Sequence, residues 1–211
     1  MSAHGRPTKP VSHWRRNRVL YLLIAVTLAP ILASYFAYYV MPPSGRVNYG
    51  TLVEPQRAVP SIPATAIDGT AFDLRSLKDK WVFVMVDGGA CDEHCQSKLF
   101  HMRQQRTMTG KGRDEIERLW LITDREPLST MLMREHEGTH FVRVDERDLR
   151  AFLALPDAPD ANLRDHIWVI DPLGNLMLRW PRNPDPKGTK GDIARLMKAA
   201  SLWTRVERGK D

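Results

Sequence analysis

The chain has 211 residues, a length that suits one globular domain with short additions. Its formal net charge is +6, from 31 Lys and Arg residues against 25 Asp and Glu residues. Five of the basic residues and none of the acidic ones lie within residues 1–41, so the rest of the chain carries 26 basic and 25 acidic side chains. A nearly neutral domain lacks the positive surface that binds phosphate backbones. The charge distribution therefore argues against a nucleic-acid partner.

The N-terminal segment has the pattern of a membrane anchor. Residues 1–18 are basic, and residues 19–41 contain no charged side chain. As a helix the uncharged run reaches roughly 34 Å, enough to cross a hydrocarbon core of about 30 Å. Aromatic residues near both ends and the basic N-terminal flank favour a single-pass helix with a cytoplasmic tail. A cleaved signal peptide is the alternative, but the apolar core of a signal peptide is shorter than the run 19–41 and does not end in aromatic residues.

We therefore predict a cytoplasmic tail over residues 1–18 and a transmembrane helix over 19–41, with the rest of the chain in the periplasm of a bacterium. Prolines at five positions between residues 42 and 63 indicate an extended tether over 42–60, because proline stiffens the chain and removes hydrogen-bond donors. The remaining residues, 61–211, are numerous enough to bury a single core.

Within residues 61–211, apolar runs alternate with amphipathic stretches. Continuous apolar runs such as residues 81–86 are typical of strands covered on both faces. Strands are predicted at residues 81–86, 116–123, 141–144, 167–170 and 176–178, and helices at 91–107, 127–136, 148–155 and 193–204. Strands that alternate with helices and end in a hairpin and a helix predict a layered α/β domain.

The only two cysteines, Cys91 and Cys95, lie four residues apart where the first predicted strand turns into a helix. Positions i and i+4 share one face of a helix, so both sulfurs can meet one metal ion or each other. An exported domain is usually in an oxidising compartment, where such a pair becomes a disulfide. A purely structural disulfide is the alternative, although a bridge across so short a loop removes little chain entropy.

The residues between the cysteines bear on the chemistry of the pair. Amide groups at a helix N-terminus lower the pKa of a cysteine, whereas the negative charges of Asp92 and Glu93 disfavour a thiolate and suit a cation. His94 adds an imidazole, and cysteine with histidine is a ligand set suited to copper or zinc. The alternative is that His94 is a solvated residue of the helix with no ligand role.

The sequence from Ile62 to Val86, continued by Cys91-Asp-Glu-His-Cys95, resembles the thioredoxin-like fold of the Sco/SenC family. Three features carry the resemblance: three residues between the cysteines where ordinary thioredoxins have two, the run Leu-Ile-Thr-Asp-Arg-Glu-Pro over 121–127, and His166 ahead of the run Val-Ile-Asp-Pro-Leu-Gly over 169–174. The resemblance covers residues 61–203. Members of the family are membrane-anchored copper chaperones and thiol reductases that help to build the CuA centre of cytochrome c oxidase.

The resemblance implies a thioredoxin-like domain with copper as cofactor, bound by Cys91, Cys95 and a third ligand. His166 is the implied third ligand, and His94 is the alternative. It also implies subunit II of cytochrome c oxidase, or another oxidase assembly factor, as partner. A dithiol oxidoreductase is the rival function, with Cys91 and Cys95 as catalytic residues. An interaction module with an inert disulfide is a third.

Two positions depart from the Sco/SenC pattern. Gln96 stands where Sco/SenC proteins usually have a proline. The copper-binding histidine of Sco/SenC proteins lies farther ahead of the Asp-Pro turn than His166 does. Asp165 occupies the position at which redox thioredoxins carry a cis-proline. Because that position faces the cysteine pair in the fold, the resemblance still places His166 near the pair.

Overall fold

The computed structural model of the chain describes residues 13–40, 48–153, 155 and 161–208. The chain divides into two compact units, residues 1–47 and 48–211. Residues 1–12 of the predicted tail, residue 41 of the predicted transmembrane helix and residues 42–47 of the predicted tether lie outside the described residues.

The first unit contains one helix, α1 (His13–Tyr39), in its described residues. Its stretch Asn17–Tyr39 is long and apolar enough to cross a membrane, and none of its side chains is buried. Pro30 lies inside the helix, which membrane helices tolerate. The predicted apolar N-terminal helix is therefore confirmed as a candidate membrane span, and its orientation stays a prediction.

The second unit is built on a seven-stranded mixed sheet with the strand order β1-β7-β6-β3-β4-β5-β2. In chain order its elements are β1 (Thr51–Ala58), β2 (Ala64–Ala66), β3 (Trp81–Asp87), α2 (Glu93–Met108), β4 (Ile116–Ile122), α3 (Thr130–Glu135), β5 (Thr139–Val144), α4 (Glu146–Phe152), β6 (Ile167–Ile170), β7 (Asn175–Trp180) and α5 (Pro186–Arg208). Strands β3, β4 and β5 are parallel neighbours, and the other pairs are antiparallel. The predicted α/β class is confirmed, and the predicted strands 81–86 and 116–123 are found as the parallel neighbours β3 and β4.

The predicted tether extended to residue 60, but the structure places Thr51–Ala58 in the sheet as β1. This strand lies at the edge and pairs with β7, with a shift in register between Leu52 and Arg57. Pro55 is accommodated because an edge strand has one side without a neighbouring strand, where a missing N–H group costs nothing. Prolines that suggested a tether are therefore compatible with an edge strand, and the sequence pattern alone does not separate the two.

A buried carboxylate binds the backbone at the start of the second unit. Asp192 of α5 is fully buried and accepts hydrogen bonds from the backbone N–H groups of Tyr49 and Gly50, both at 2.8 Å. A Cβ atom at position 50 would lie 2.7 Å from the Trp180 ring and 2.8 Å from a backbone carbonyl, so only glycine fits this approach. The ordered domain thus begins before residue 51, about ten residues earlier than predicted.

The predicted helices 127–136 and 193–204 differ most in length from the observed ones. Helix α3 is shorter than the predicted 127–136, because Ser129 caps its N-terminus by accepting a hydrogen bond from the N–H of Leu132. Helix α5 begins at Pro186, seven residues before the predicted start. Proline suits a first helical turn, where its missing N–H group has no partner to lose, and Asp185 accepts a hydrogen bond from the N–H of Gly188.

The central strand β3 is buried on both faces and separates two apolar clusters. Val82, Val84 and Val86 belong to the cluster that includes residues of α4. The alternate side chains of β3 belong to the second cluster, which also contains residues of α2 and α5. Cys91 and Cys95 are members of this second cluster, so α2 carries the cysteine pair against the core of the domain.

The contact between α2 and α5 buries an imidazole. His101 is 9% exposed, shares a hydrogen bond of 3.2 Å with the Thr189 hydroxyl, and packs edge-on against the Trp180 ring. Burial lowers the pKa of His101 to about 4, with a smaller opposing effect from Asp185. The folded protein therefore holds this side chain neutral at pH values where an exposed histidine is protonated.

We expect the stability of the protein to fall as the pH drops from about 6.5 to about 4. In that window the unfolded chain takes up a proton at His101 while the folded chain does not, so protonation favours unfolding. Between about pH 7 and about pH 5 the free energy of unfolding should drop by about 2 kcal/mol more in the wild type than in His101→Gln. Chemical denaturation of the full chain in detergent, followed by tryptophan fluorescence, measures both. Equal losses in the two proteins would contradict the assignment.

Candidate redox and metal site

The two cysteines meet as a disulfide at the N-terminal end of α2. The S–S distance is 2.06 Å and the two Cα atoms are 5.1 Å apart. Cys91 precedes the helix in a left-handed backbone conformation, with φ +43°, and Cys95 lies in the first turn. The structure thus places the pair where the sequence predicted, at the start of the helix that follows β3. A left-handed conformation is unfavourable for a residue with a side chain, so the loop holds Cys91 under some backbone strain.

Asp92 has a structural role that the sequence analysis did not assign. Its carboxylate accepts a hydrogen bond of 2.9 Å from the N–H of Cys95 and caps the helix. This hydrogen bond lowers the pKa of Asp92, more than burial raises it. The carboxylate is therefore engaged by the backbone that positions Cys95.

The two sulfurs differ in access. Cys95 is fully buried, whereas Cys91 is 6% exposed and borders a shallow cavity of about 420 Å³. One wall of the cavity is formed by residues 89–91 and Gln96, and the other by residues 127–129, Met131, Leu132 and Glu135. Cys91 is therefore the cysteine that lies at the cavity, and Cys95 lies behind it in the core.

The loop ahead of the cysteines is packed against the end of β4. The N–H of Gly89 donates to the Asp124 carboxylate at 2.9 Å, and the N–H of Thr123 donates to the carbonyl of Asp87 at 3.1 Å. A Cβ atom on Gly88 or Gly89 would lie 2.3 to 2.4 Å from atoms of residues 124–126. The run 121–127 that supported the family resemblance thus fixes the path of the cysteine loop.

A buried ion pair lies at the end of β3, on the cysteine helix. The Lys98 ammonium lies 2.7 Å from an Asp87 carboxylate oxygen and donates to the carbonyls of Val86 and Arg164. Its side chain is 1% exposed. Burial lowers the pKa of Lys98, and the hydrogen bond to Asp87 opposes that shift. Lys98 thereby joins the cysteine helix to β3 and to the segment just before His166.

Sequence reasoning missed this ion pair. A lysine three residues after Cys95 is the ordinary mark of an exposed helix face, and an aspartate at the end of a strand is the ordinary mark of a turn. The available signal was the position of Asp87, which follows directly on an uninterrupted apolar strand.

His166 follows a short 3-10 turn at Leu163–Asp165 and precedes β6. Its Nδ1–H donates to the carbonyl of Trp180 at 3.0 Å, and its ring packs edge-on against Trp168. This tautomer puts the lone pair on Nε2, which is how many metal-binding histidines are oriented. Asp165, the residue before His166, pairs with Arg182 at 3.4 Å.

The structure does not assemble the implied three-ligand copper site. Within the described residues, no three His, Cys, Asp or Glu side chains are grouped so that they could hold a metal ion. His94 is half-buried in the first turn of α2, and no hydrogen-bond partner for its Nε2 is found in the described part of the chain. A disulfide has no thiolate to offer, but the reduced pair supplies two soft ligands on one helix end, which suits Cu(I). The assignment of His166 or His94 as third ligand stays a prediction.

The fold and the site together define a thioredoxin-like domain with a Cys-x3-Cys disulfide, in a chain whose N-terminal unit contains an apolar helix. The chain belongs to the family described as "Transmembrane-like, thioredoxin-like, C-terminal domain", whose model matches residues 81–200. No curated protein matches the chain in sequence.

Solved structures share the fold at low sequence identity. Yeast Sco1 is 15% identical over 70% of this chain and 97% of its own, with a TM-score of 0.56. Bradyrhizobium japonicum ScoI with copper bound is 16% identical over 66% and 99%, with a TM-score of 0.50. A putative protein disulfide isomerase from Bacteroides thetaiotaomicron is 18% identical over 72% and 94%, with a TM-score of 0.52. The predicted Sco-like, thioredoxin-like fold is therefore confirmed.

Proposed function

We propose that this chain is a membrane-anchored assembly factor for cytochrome c oxidase that acts through Cys91 and Cys95. The observation that carries the proposal is the disulfide at the N-terminus of α2, with one sulfur beside a cavity and the other buried. The fold shared with Sco proteins supports the same role. Its target is subunit II of the oxidase, or another assembly factor, and its task is the maturation of the CuA centre.

The first activity is thiol–disulfide exchange. The reduced Cys91 thiolate attacks a disulfide of the partner, forming a mixed disulfide and releasing one partner thiolate. The Cys95 thiolate then attacks the Cys91 sulfur and releases the second partner thiolate. Two electrons pass to the partner, whose thiolates take up the protons lost by the two cysteines. The product on this chain is the disulfide seen in the structure, and an external dithiol donor must reduce it again.

The second activity is copper binding by the reduced pair, and two observations favour it. The donor chemistry of two thiolates suits Cu(I), and the Nδ1 hydrogen bond of His166 leaves its Nε2 oriented as in metal-binding histidines. Bound copper would be the cargo delivered to the CuA centre. In this role Cys91 and Cys95 hold the ion, and His166 or His94 adds a nitrogen ligand for Cu(II).

Copper titration of the reduced full chain in detergent, without oxygen, tests this second activity. Replacing either cysteine should abolish binding of both oxidation states, because the chain has no other cysteine. His166→Ala should weaken Cu(II) binding strongly and spare Cu(I), since Cu(II) prefers additional nitrogen or oxygen ligands. The same pattern in His94→Ala would move the third ligand to His94. His140→Ala is the control, because His140 lies in β5 and pairs with Glu117.

A reduced wild-type chain that binds no copper would contradict the metal activity. If that chain still reduces a partner disulfide and Cys91→Ser does not, thiol exchange alone remains.

The proposed location is the bacterial inner membrane, with the N-terminus in the cytoplasm and the domain in the periplasm. The uncharged helix and the basic residues on its N-terminal side support this orientation. Alkaline phosphatase fused to the C-terminus should be active, because it folds only in an oxidising compartment. The same fusion made after deletion of the helix is the control and should be inactive. Activity of a cytoplasmic reporter at the C-terminus would reverse the orientation.

A further inference from the structure

One carboxylate joins the cysteine loop to the turn that follows β4. The Oδ1 atom of Asp124 accepts a hydrogen bond from the N–H of Gly89 at 2.9 Å and a second one from the N–H of Glu126 at 3.1 Å. Gly89 lies two residues before Cys91 on one wall of the cavity, and Glu126 directly precedes Pro127 on the other wall. Asp124 therefore connects the two walls of the cavity at which Cys91 lies.

The turn that carries Asp124 is itself attached to the strands on both sides of β4. From β5, the guanidinium of Arg143 donates to the carbonyl of Asp124 and, at 2.8 Å, to the carbonyl of Glu126. Toward β3, the N–H of Thr123 donates to the carbonyl of Asp87 at 3.1 Å. The turn is thus a firm support for the cysteine loop.

The loop leads into the strained backbone of Cys91. Its φ of +43° lies in the left-handed region, which a residue with a Cβ atom adopts only where its surroundings require it. The carbonyl of Cys91 also accepts a hydrogen bond of 3.2 Å from the Gln96 side chain. The strained residue is therefore fixed from two sides, by Asp124 before it and by Gln96 at its own carbonyl. None of these hydrogen bonds involves a sulfur atom, so reduction of the disulfide does not break them directly.

We propose that Asp124 is a positioning residue that keeps Cys91 in the geometry of the disulfide and thereby lowers the reduction potential of the cysteine pair. In the oxidised chain the bridge to Cys95 constrains Cys91 in any case. In the reduced chain only the loop contacts oppose relaxation of Cys91 to an unstrained conformation, which would stabilise the dithiol. With Asp124 in place the dithiol keeps the strain, so oxidation is more favourable.

This role rests on the proposed thiol exchange, because the reduction potential decides the direction in which electrons pass between the pair and its partner. The potential itself is a property of the chain alone. A wild-type chain that reduces no partner disulfide would therefore contradict the proposed function without altering the comparison of potentials between variants.

The test is the reduction potential of the full chain in detergent, measured by equilibration with dithiol buffers without oxygen. Asp124→Ala loses both hydrogen bonds, and its equilibrium constant for oxidation should fall roughly tenfold, which raises the potential by about 30 mV. In Asp124→Asn the amide oxygen still accepts from the two N–H groups, so the constant should stay within about twofold of the wild type. Asp68→Ala is the matched control, because Asp68 is an exposed aspartate that accepts a hydrogen bond from the backbone of Thr70 in a separate turn.

Gln96→Ala removes the second support of Cys91 and leaves Asp124 in place, so it should raise the potential by a smaller amount. If Asp124→Ala fails to fold, the result for Gln96→Ala decides. Wild-type potentials in both alanine variants would overturn the proposal. Equal shifts in Asp124→Ala and Asp124→Asn would also overturn it, because the charge of the carboxylate and not its hydrogen bonds would then be responsible.

Discussion

The Cys95→Ser variant is expected to accumulate as a mixed disulfide with its partner protein, and the Cys91→Ser variant is expected to form none. Cys91 borders the cavity and is the sulfur that a partner reaches, whereas Cys95 is fully buried in the first turn of α2. Exchange therefore begins at Cys91, and without Cys95 the mixed disulfide is not resolved. The complex should be visible on a non-reducing gel after thiols are blocked with an alkylating agent.

The double variant Cys91→Ser/Cys95→Ser is the negative control, and Ser97→Ala, on an exposed position of the same helix, is the matched positive control. A complex formed by Cys91→Ser instead would make Cys95 the attacking sulfur and contradict the order of attack inferred from burial. If neither single variant forms a complex, the disulfide is structural and thiol exchange is not the activity of this chain.

Replacing Lys98 by methionine is expected to lower the free energy of unfolding by about 3–5 kcal/mol. The substitution leaves the Asp87 carboxylate buried beside the apolar core without its cation, and it removes the donor to the carbonyls of Val86 and Arg164. Desolvation of the unpaired carboxylate dominates the loss, because the side chain of Lys98 itself is compatible in size with methionine. Denaturant unfolding of the full chain in detergent measures the change.

Lys78→Met is the matched control, since Lys78 is exposed and its loss should change stability by no more than about 0.5 kcal/mol. The double variant Lys98→Met/Asp87→Leu should be more stable than Lys98→Met alone, because an apolar pair replaces an uncompensated charge. If Lys98→Met is as stable as Lys78→Met, the ion pair does not hold the cysteine helix. If the double variant is the less stable one, the unpaired carboxylate is not the source of the loss.

The central elements of the domain were predictable because their sequence patterns are local. The run Trp81–Asp87 is apolar at six consecutive positions and turns into a glycine pair, which predicts a buried strand that ends where the cysteine loop starts. Ile116–Ile122 has a similar character and pairs with it in parallel. Edge elements were less predictable. The sequence of β1, which contains Pro55, fits a proline-rich tether as well as an edge strand, and only its pairing with β7 shows that it is a strand.

The candidate site was likewise predictable only in part. The sequence shows two cysteines four residues apart at the start of a helix, and this spacing is enough to bring their sulfurs together. The sequence does not show whether Asp92 caps that helix or attracts a cation. Capping depends on the extended backbone conformation of Asp92, which only the structure reveals. The pairing of Lys98 with Asp87 depends on burial by strands and helices far apart in the chain.

By itself, the sequence determined the apolar N-terminal helix, the α/β alternation and the position of the cysteine pair, since each depends on periodicity or spacing within about twenty residues. Only the tertiary structure decided which cysteine faces a cavity and which polar side chains are buried. It joined Lys98 to Asp87 across α2 and β3, and it buried Arg118 of β4 opposite Thr139 of β5. Burial and long-range contacts set the electrostatics of a side chain, and neither is encoded in its neighbours along the chain.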